Sequence, residues 1–352
     1  MNHDVINDRY ARLFELPDRM NRHLQVTGYC LDYRLASSEA VPADIAHRWA
    51  RLNLPRSALI GSYLRLRSFA KQYKPQVVIA SSDCLNVILG STLARQIGAC
   101  FIADLYDDYT AFGLARIPGT RALYRRALES SAGICAVSKT LAANIEASYP
   151  GKPVLLLEST IDAAQFGPRD RDQSLEVLGL SQLADKPLVG ICGGLDANHG
   201  VDTVFAAIQA MEQAYKDVQF VIAGRVFKEH PLPSCGNVHY LGLLPHHRMA
   251  NFYNAMNIVL VALANTPFGY YAFPQKAYEI LACRVPAVAA NVGSLGSLFA
   301  DTPSSLYDPD SKESLVAALC RQLEDRLRPD VTIPTWDDQA LALGEFVESL
   351  LP

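Results

Sequence analysis

Along this chain, short continuous apolar runs alternate with stretches whose apolar residues recur at helical spacing. Q-V-V-I-A (76–80), A-C-F-I-A-D-L (99–105), 133–137, 153–157, L-V-G-I-C (188–192), Q-F-V-I-A-G-R (219–225), V-H-Y-L-G-L-L (238–244), 258–262 and 285–290 are strand-length and lack polar alternation. Runs of that kind suit strands covered on both faces of a parallel sheet. Between them the spacing predicts helices over 85–97, 123–130, 138–148, 201–216, 246–256 and 311–323. Gly98 reads as a residue just past a helix end and Ser138 as an N-cap. Strand–helix alternation implies right-handed crossovers onto parallel sheets. Near the start, 9–23 reads as a helix, 24–31 as a strand, and 43–74 as largely helical with a break at Pro55. The last segment, 335–352, reads as a closing helix with Trp336 filling an apolar gap.

The segment 167–186 shifts to charged residues, R-D-R-D-Q-S among them, and reads as a linker. A chain of 352 residues is too long for one typical core. The pattern therefore predicts an α/β protein of two domains, 1–166 with the closing helix 335–352, and 187–325.

Half the residues are apolar, so large cores can be buried, and a net charge of −4 gives no general reason to expect a nucleic-acid partner. No apolar run reaches bilayer length and the N-terminus does not resemble a signal peptide. Eight scattered cysteines with no C-x-x-C pair predict neither disulfides nor zinc. These features predict a cytoplasmic protein without a bound metal.

The chemistry concentrates in 273–291, F-P-Q-K-A-Y-E-I-L-A-C-R-V-P-A-V-A-A-N, a short helix leading into a buried strand. Free N–H groups at a helix start suit a phosphate, Lys276 adds a full charge there, and Glu279 can accept from a ribose hydroxyl. By spacing alone, Lys276 and Glu279 read equally as a surface ion pair. Gly193 and Gly194 follow an apolar strand and let a diphosphate approach the backbone. Arg225 falls at the carboxyl edge of the next strand, as a phosphate ligand or an exposed loop cation. Asp104, Asp107 and Asp108 close the strand after 99, where open α/β sheets bind ligands, and read as acceptor-binding acids or as loop caps.

The phrase P-x-K-x-x-E-x-L-A-C-x-V-P-A-V resembles the donor-site helix and strand of glycosyltransferases of the GT-B fold, family 4, in a branch with P-x-K-x-x-E as the donor motif. The similarity extends through A-V-S-K-T-L and I-D-A-A-Q-F to the closing helix. It implies two Rossmann-like domains facing each other across a cleft, with the closing helix crossing back to the first domain. It also implies sugar transfer from a nucleotide-diphosphate sugar to an acceptor hydroxyl, with retention of configuration and no metal. The donor is then a substrate, not a cofactor.

The resemblance implies that Glu279 holds the ribose, while Lys276 and the backbone near Gln275 hold the diphosphate, with Arg225 as a further candidate. Gly193, Gly194, Tyr271 and Phe273 border the donor, and Asp107, Lys276 and Arg225 are the catalytic candidates.

Several family features are absent. No strand and glycine-rich loop precede the helix at 9–23; Tyr106 replaces a His; Gly194 and His199 replace Arg and Lys; Tyr271 stands where a first Glu is usual. The missing first strand suggests a partner chain covering the first domain or an altered strand order. The acceptor class stays open (a saccharide, a lipid-linked saccharide or a small molecule), with peripheral membrane contact possible. An inactive binding or scaffold protein and a nucleotide-sugar 2-epimerase remain alternatives on the same fold.

Overall fold

The computed structural model describes residues 9, 11–32, 41, 44, 49–53, 59–111 and 113–351. The chain forms two compact units, 1–159 with 335–352, and 160–334.

In the first unit, α1 (Arg12–Met20), β1 (Gly28–Asp32), β2 (Trp49–Asn53) and α2 (Leu59–Tyr73) come first. Then follow β3 (Val77–Ala80), α3 (Cys84–Ile97), β4 (Cys100–Leu105), α4 (Thr120–Ser130), β5 (Gly133–Ala136), α5 (Lys139–Ser148) and β6 (Val154–Leu156). The last four strands make a parallel sheet in the order β3-β4-β5-β6, and β1 pairs with β2 in a separate parallel pair. Gly98 takes a left-handed conformation past α3, and the Ser138 hydroxyl accepts from the Leu141 N–H.

One expectation fails here. The 43–74 segment contains the strand Trp49–Asn53 before its helix, and Trp49 stacks on Phe14 at 6.2 Å. The suggested missing first strand concerns residues that, at 1–8 and 10, lie outside the described residues.

The second unit contains α6 (Arg171–Leu178), β7 (Leu188–Leu195), α7 (Val201–Ala214), β8 (Gln219–Val226), β9 (Val238–Tyr240), α8 (Met249–Ala255) and β10 (Ile258–Val261). After these come α9 (Pro267–Tyr271), α10 (Lys276–Ala282), β11 (Ala287–Ala290), α11 (Gly293–Leu298), β12 (Leu306–Tyr307) and α12 (Lys312–Asp325). Its six strands are all parallel, in the order β12-β11-β10-β7-β8-β9. The order reverses beside β7, the kind of switch point at which open α/β sheets bind ligands. Strands β10 and β11 are fully buried and β7 is buried through Cys192, as the unbroken apolar runs require.

The 167–186 segment is not a linker. Asp170 caps α6 through the Gln173 N–H, Gly179 ends it with φ 71°, and Leu175 is fully buried. Upstream, Phe166 packs its ring on His246 and Tyr253, so the unit begins at Thr160. The final helix, α13 (Trp336–Ser349), belongs to the first unit. Trp336 lies buried there with Leu16, Met20, Ile102 and Leu157, and Asp337 pairs with Arg19 and Arg22. No helix among the described residues is long and apolar enough to cross a membrane.

Candidate functional site

Helix α10 is short because the Pro274 ring disfavours helical backbone at Phe273 before it and Arg284, at φ 56°, turns the chain away after it. Pro274 therefore sits just ahead of the helix, not in its first turn. Ala277, Tyr278, Ile280 and Leu281 face inward, as the spacing predicts. So does Glu279, which is only 6% exposed. An acid in the first turn also suits the helix dipole.

Lys276 and Glu279 do not pair with each other. The Glu279 carboxylate accepts from the Tyr253 hydroxyl at 2.6 Å on Oε2, and from the Gln275 amide at 3.1 Å on Oε1. His246 Nε2 lies 3.4 Å from the same Oε1. The Gln165 amide nitrogen contacts both the His246 carbonyl and His246 Nδ1, so it donates to Nδ1 and leaves the ring proton on Nε2, aimed at Glu279. A carboxylate has about four acceptor positions, and three donors leave about one for a ligand.

Lys276 points the other way. Its Nζ donates to the Cys192 carbonyl at 3.0 Å, over the carboxyl end of β7, and no carboxylate pairs with it among the described residues. A side chain at Gly193 would meet that Nζ at 3.1 Å. Gly193 and Gly194 lie within the strand, not in a turn after it. Their role is close approach: Gly193 has φ 110°, Gly224 on the neighbouring strand has φ 150°, and a Cβ on Gly224 would strike the Gly193 carbonyl at 1.9 Å. A small pocket opens here, bounded by Cys192, Gly194, His199 and Lys276 over apolar Ile191 and Val204. Asp196 holds His199 at 2.8 Å and caps the turn into α7; hydrogen bonding to His199 keeps the Asp196 carboxyl below its ordinary range.

Arg225 pairs in register with Gly194, which puts it at the same end of the sheet. It is exposed, its guanidinium sits 6.0 Å from the Phe227 ring centroid, and it has no ion pair among the described residues. Gly193, Gly194 and Lys276 thus come together, with Arg225 placed at the same end of the sheet by register. Phe273 does not present its ring to that pocket; it is buried against Tyr278 at 4.8 Å. Tyr271 ends α9 and meets Tyr270 edge to face.

In the first unit the three acids after β4 have three fates. Asp104 is buried, bridged by Arg12 through both carboxylate oxygens and hydrogen-bonded by Ser81 at 2.8 Å. Asp108 caps its own turn, accepting from the Thr110 N–H and hydroxyl. Only Asp107 remains as a candidate for an acceptor. Desolvation pushes its carboxyl up to about 7, the neighbouring Asp108 charge adds to the rise, and the Asp108 N–H opposes it. Burial and Asp107 together drive the Tyr106 phenol far above its ordinary value, so it is a hydrogen-bond donor and not a base. Beneath them the Tyr109 hydroxyl donates to the Asp104 carbonyl and accepts from the Ser82 N–H, fixing the turn.

Tyr253 and His246 were not legible as site residues. Tyr253 lies in M-A-N-F-Y-N-A, which reads simply as a packed helix face, and His246 is one of two adjacent histidines in a short turn, with nothing to mark it from His247. Among the described residues no group of three His, Cys, Asp or Glu side chains could hold a metal ion, and all eight cysteines are free thiols.

Residues 186–325 match the family described as glycosyl transferases group 1. Over 210 residues the chain is 25% identical to the putative teichuronic acid biosynthesis glycosyltransferase TuaC of Bacillus subtilis (strain 168). That match covers 59% of this chain and 51% of TuaC, so the chain spans about half the length of this relative. Anabaena Alr3699/HepE, in complex with UDP-glucose, superposes with a TM-score of 0.67 at 13% identity, over 93% of this chain and 97% of that one. The UDP-forming α,α-trehalose-phosphate synthase of Burkholderia vietnamiensis gives a TM-score of 0.53 at 13% identity, over 84% and 75%. The chain has the GT-B fold, with two Rossmann-like α/β domains.

Proposed function

We propose that this chain is a retaining, metal-independent glycosyltransferase that moves a sugar from a nucleotide-diphosphate sugar to an acceptor hydroxyl. The observation that carries the reading is Lys276, a cation without a carboxylate partner among the described residues, held over the glycine-bared end of the central strand. Free lysines on a surface are common; one docked on a strand carbonyl beside two glycines is arranged for an anion. The group 1 match over the same residues, and the UDP-glucose carried by Alr3699/HepE, support a nucleotide sugar as that anion's source.

In this reading the bond between the anomeric carbon and the diphosphate breaks as the acceptor oxygen bonds to that carbon. Lys276 and Arg225 stabilise the charge that grows on the leaving diphosphate, and Gly193 and Gly194 let it approach the backbone. Glu279 holds the ribose, and the backbone near Gln275 helps to hold the diphosphate. The one open acceptor position on Glu279 takes one hydroxyl, and the second is accommodated as Gln275 gives way. Tyr271 borders the donor; Phe273 supports it only through its packing on Tyr278. In the first unit Asp107, ionised, takes the acceptor proton. Free, scattered cysteines favour the cytoplasm as the place of action.

The test is incubation with a panel of nucleotide sugars, with and without saccharide acceptors, following nucleotide release. Acceptor-dependent release is expected. Binding without release would assign the chain as a binding protein, isomerisation of the donor without acceptor would assign an epimerase, and no binding at all would overturn the reading.

Asp107 adds a pH signature. Its proton is held up to about pH 7 in the folded chain but lost near 4 in the unfolded one. Between those values the folded state binds more protons, so this group's contribution to stability falls as pH rises from about 4 to about 7 and is level above. Activity should do the opposite, rising through about pH 7 as the base is unmasked. In Asp107→Asn the rising limb should disappear from the kcat/KM profile, and an unaltered limb would remove Asp107 from the mechanism.

A further inference from the structure

We propose that the outer surface of α4 and the turn before it docks on an anionic lipid bilayer. The segment 113–130, G-L-A-R-I-P-G-T-R-A-L-Y-R-R-A-L-E-S, holds four arginines against a single carboxylate, Glu129, in a chain whose net charge is −4. Its inner face is spent on the fold: Tyr124, Ala127 and Leu128 are buried. Its outer face presents Arg121, Leu123, Arg125 and Arg126, with Arg116 and Ile117 in the turn ahead, all exposed.

Those cations are not occupied. Arg116, Arg121 and Arg126 make no hydrogen bond or ion pair among the described residues. Arg125 reaches Glu129 only at 3.5 Å, with both side chains well exposed, a pair of negligible strength. Two large apolar side chains stand among them, Ile117 and Leu123, each 54% exposed. Scattered exposed leucines need no explanation. Two of them ringed by unpaired arginines have the composition of an interfacial helix face, apolar groups entering the headgroup region while cations meet lipid phosphates. A nucleic acid would use the arginines but gain little from the aliphatic pair. With only two apolar side chains, attachment is peripheral and salt-sensitive. This inference stands apart from the catalytic reading, although the surface adjoins the turn that carries Asp107, through the Tyr109 and Tyr124 rings at 6.4 Å.

The experiment is co-sedimentation of the full chain with vesicles. We expect binding to phosphatidylcholine vesicles containing about one-third phosphatidylglycerol, little binding to pure phosphatidylcholine, and release at about 1 M salt. Arg125→Ala with Arg126→Ala should lower the partition coefficient about thirtyfold, from roughly fivefold per charge. Leu123→Asp should lower it about tenfold or more. All three sites are exposed, so circular dichroism should be unchanged. Failure to bind the anionic vesicles overturns the proposal. So does equal binding to both vesicle types, binding that neither variant weakens, or binding to a polynucleotide in place of vesicles.

Discussion

Replacing Lys276 with Ala should weaken the binding of nucleoside diphosphates about ten- to a hundredfold while leaving the fold intact. The only bond the side chain makes among the described residues is to the Cys192 carbonyl, which keeps its other lone pair and stays near the pocket mouth. Losing it costs the fold little. For a bound diphosphate the same change removes a charge-assisted contact worth about 1.5–3 kcal/mol, hence the range. Lys276→Arg should restore part of the loss. Titration calorimetry with a nucleoside diphosphate and with its parent nucleoside separates the outcomes. The nucleoside, having no phosphate, should bind both proteins alike. A loss that is equal for nucleoside and diphosphate would mean that Lys276 shapes the pocket without meeting the phosphates.

The fold was largely legible because its central strands are buried on both faces, which leaves runs such as F-V-I-A (220–223) and I-V-L-V (258–261) that have few other uses. Legibility failed where polarity misled. Trp49–Asn53 lies in a two-stranded pair with charged and amide residues in it, and its local letters continue the helical spacing on either side. In 167–186 the charges are real but several bond locally, Arg171 donating to the Ala184 and Lys186 carbonyls, and the stronger signals were the Asp170 cap, Gly179 and the buried Leu175, Leu180 and Leu183.

Site residues were legible as types but not as directions. Asp104, Asp107 and Asp108 are the same letter at nearly the same place. What separates them is Arg12, 92 residues upstream of Asp104, and a hydroxyl at Thr110. In the same way, the spacing of Lys276 and Glu279 permits an ion pair. Tyr253 and the β7 carbonyl, contributed by distant segments, pull the two side chains apart.

That separation changes what Glu279→Gln should do. A side chain in open solvent would tolerate the swap; this one is enclosed and receives three donors. The new amide has one oxygen and one NH2. If the oxygen faces Tyr253, the NH2 meets the Gln275 amide and the His246 ring, and in the opposite orientation it meets the Tyr253 hydroxyl. In the first case a buried donor faces donors, and in the second the Tyr253 hydroxyl must accept and its own proton loses the carboxylate, so either way a buried donor loses its acceptor, at a cost of about 1–3 kcal/mol. At about 2–4 °C per kcal/mol for a unit of this size, melting should fall by roughly 2–12 °C. Tyr253→Phe is the informative companion. It removes the hydroxyl without introducing a clash, so its stability loss should be smaller, and in Tyr253→Phe/Glu279→Gln the penalties should be less than additive. Ribose binding should weaken in both single variants, because the carboxylate loses either its charge or its anchor. This is read as a larger loss for a nucleoside diphosphate than for inorganic diphosphate. A Glu279→Gln protein that melts with the wild type would mean the carboxylate is not enclosed in solution, and the surface-pair reading would then stand.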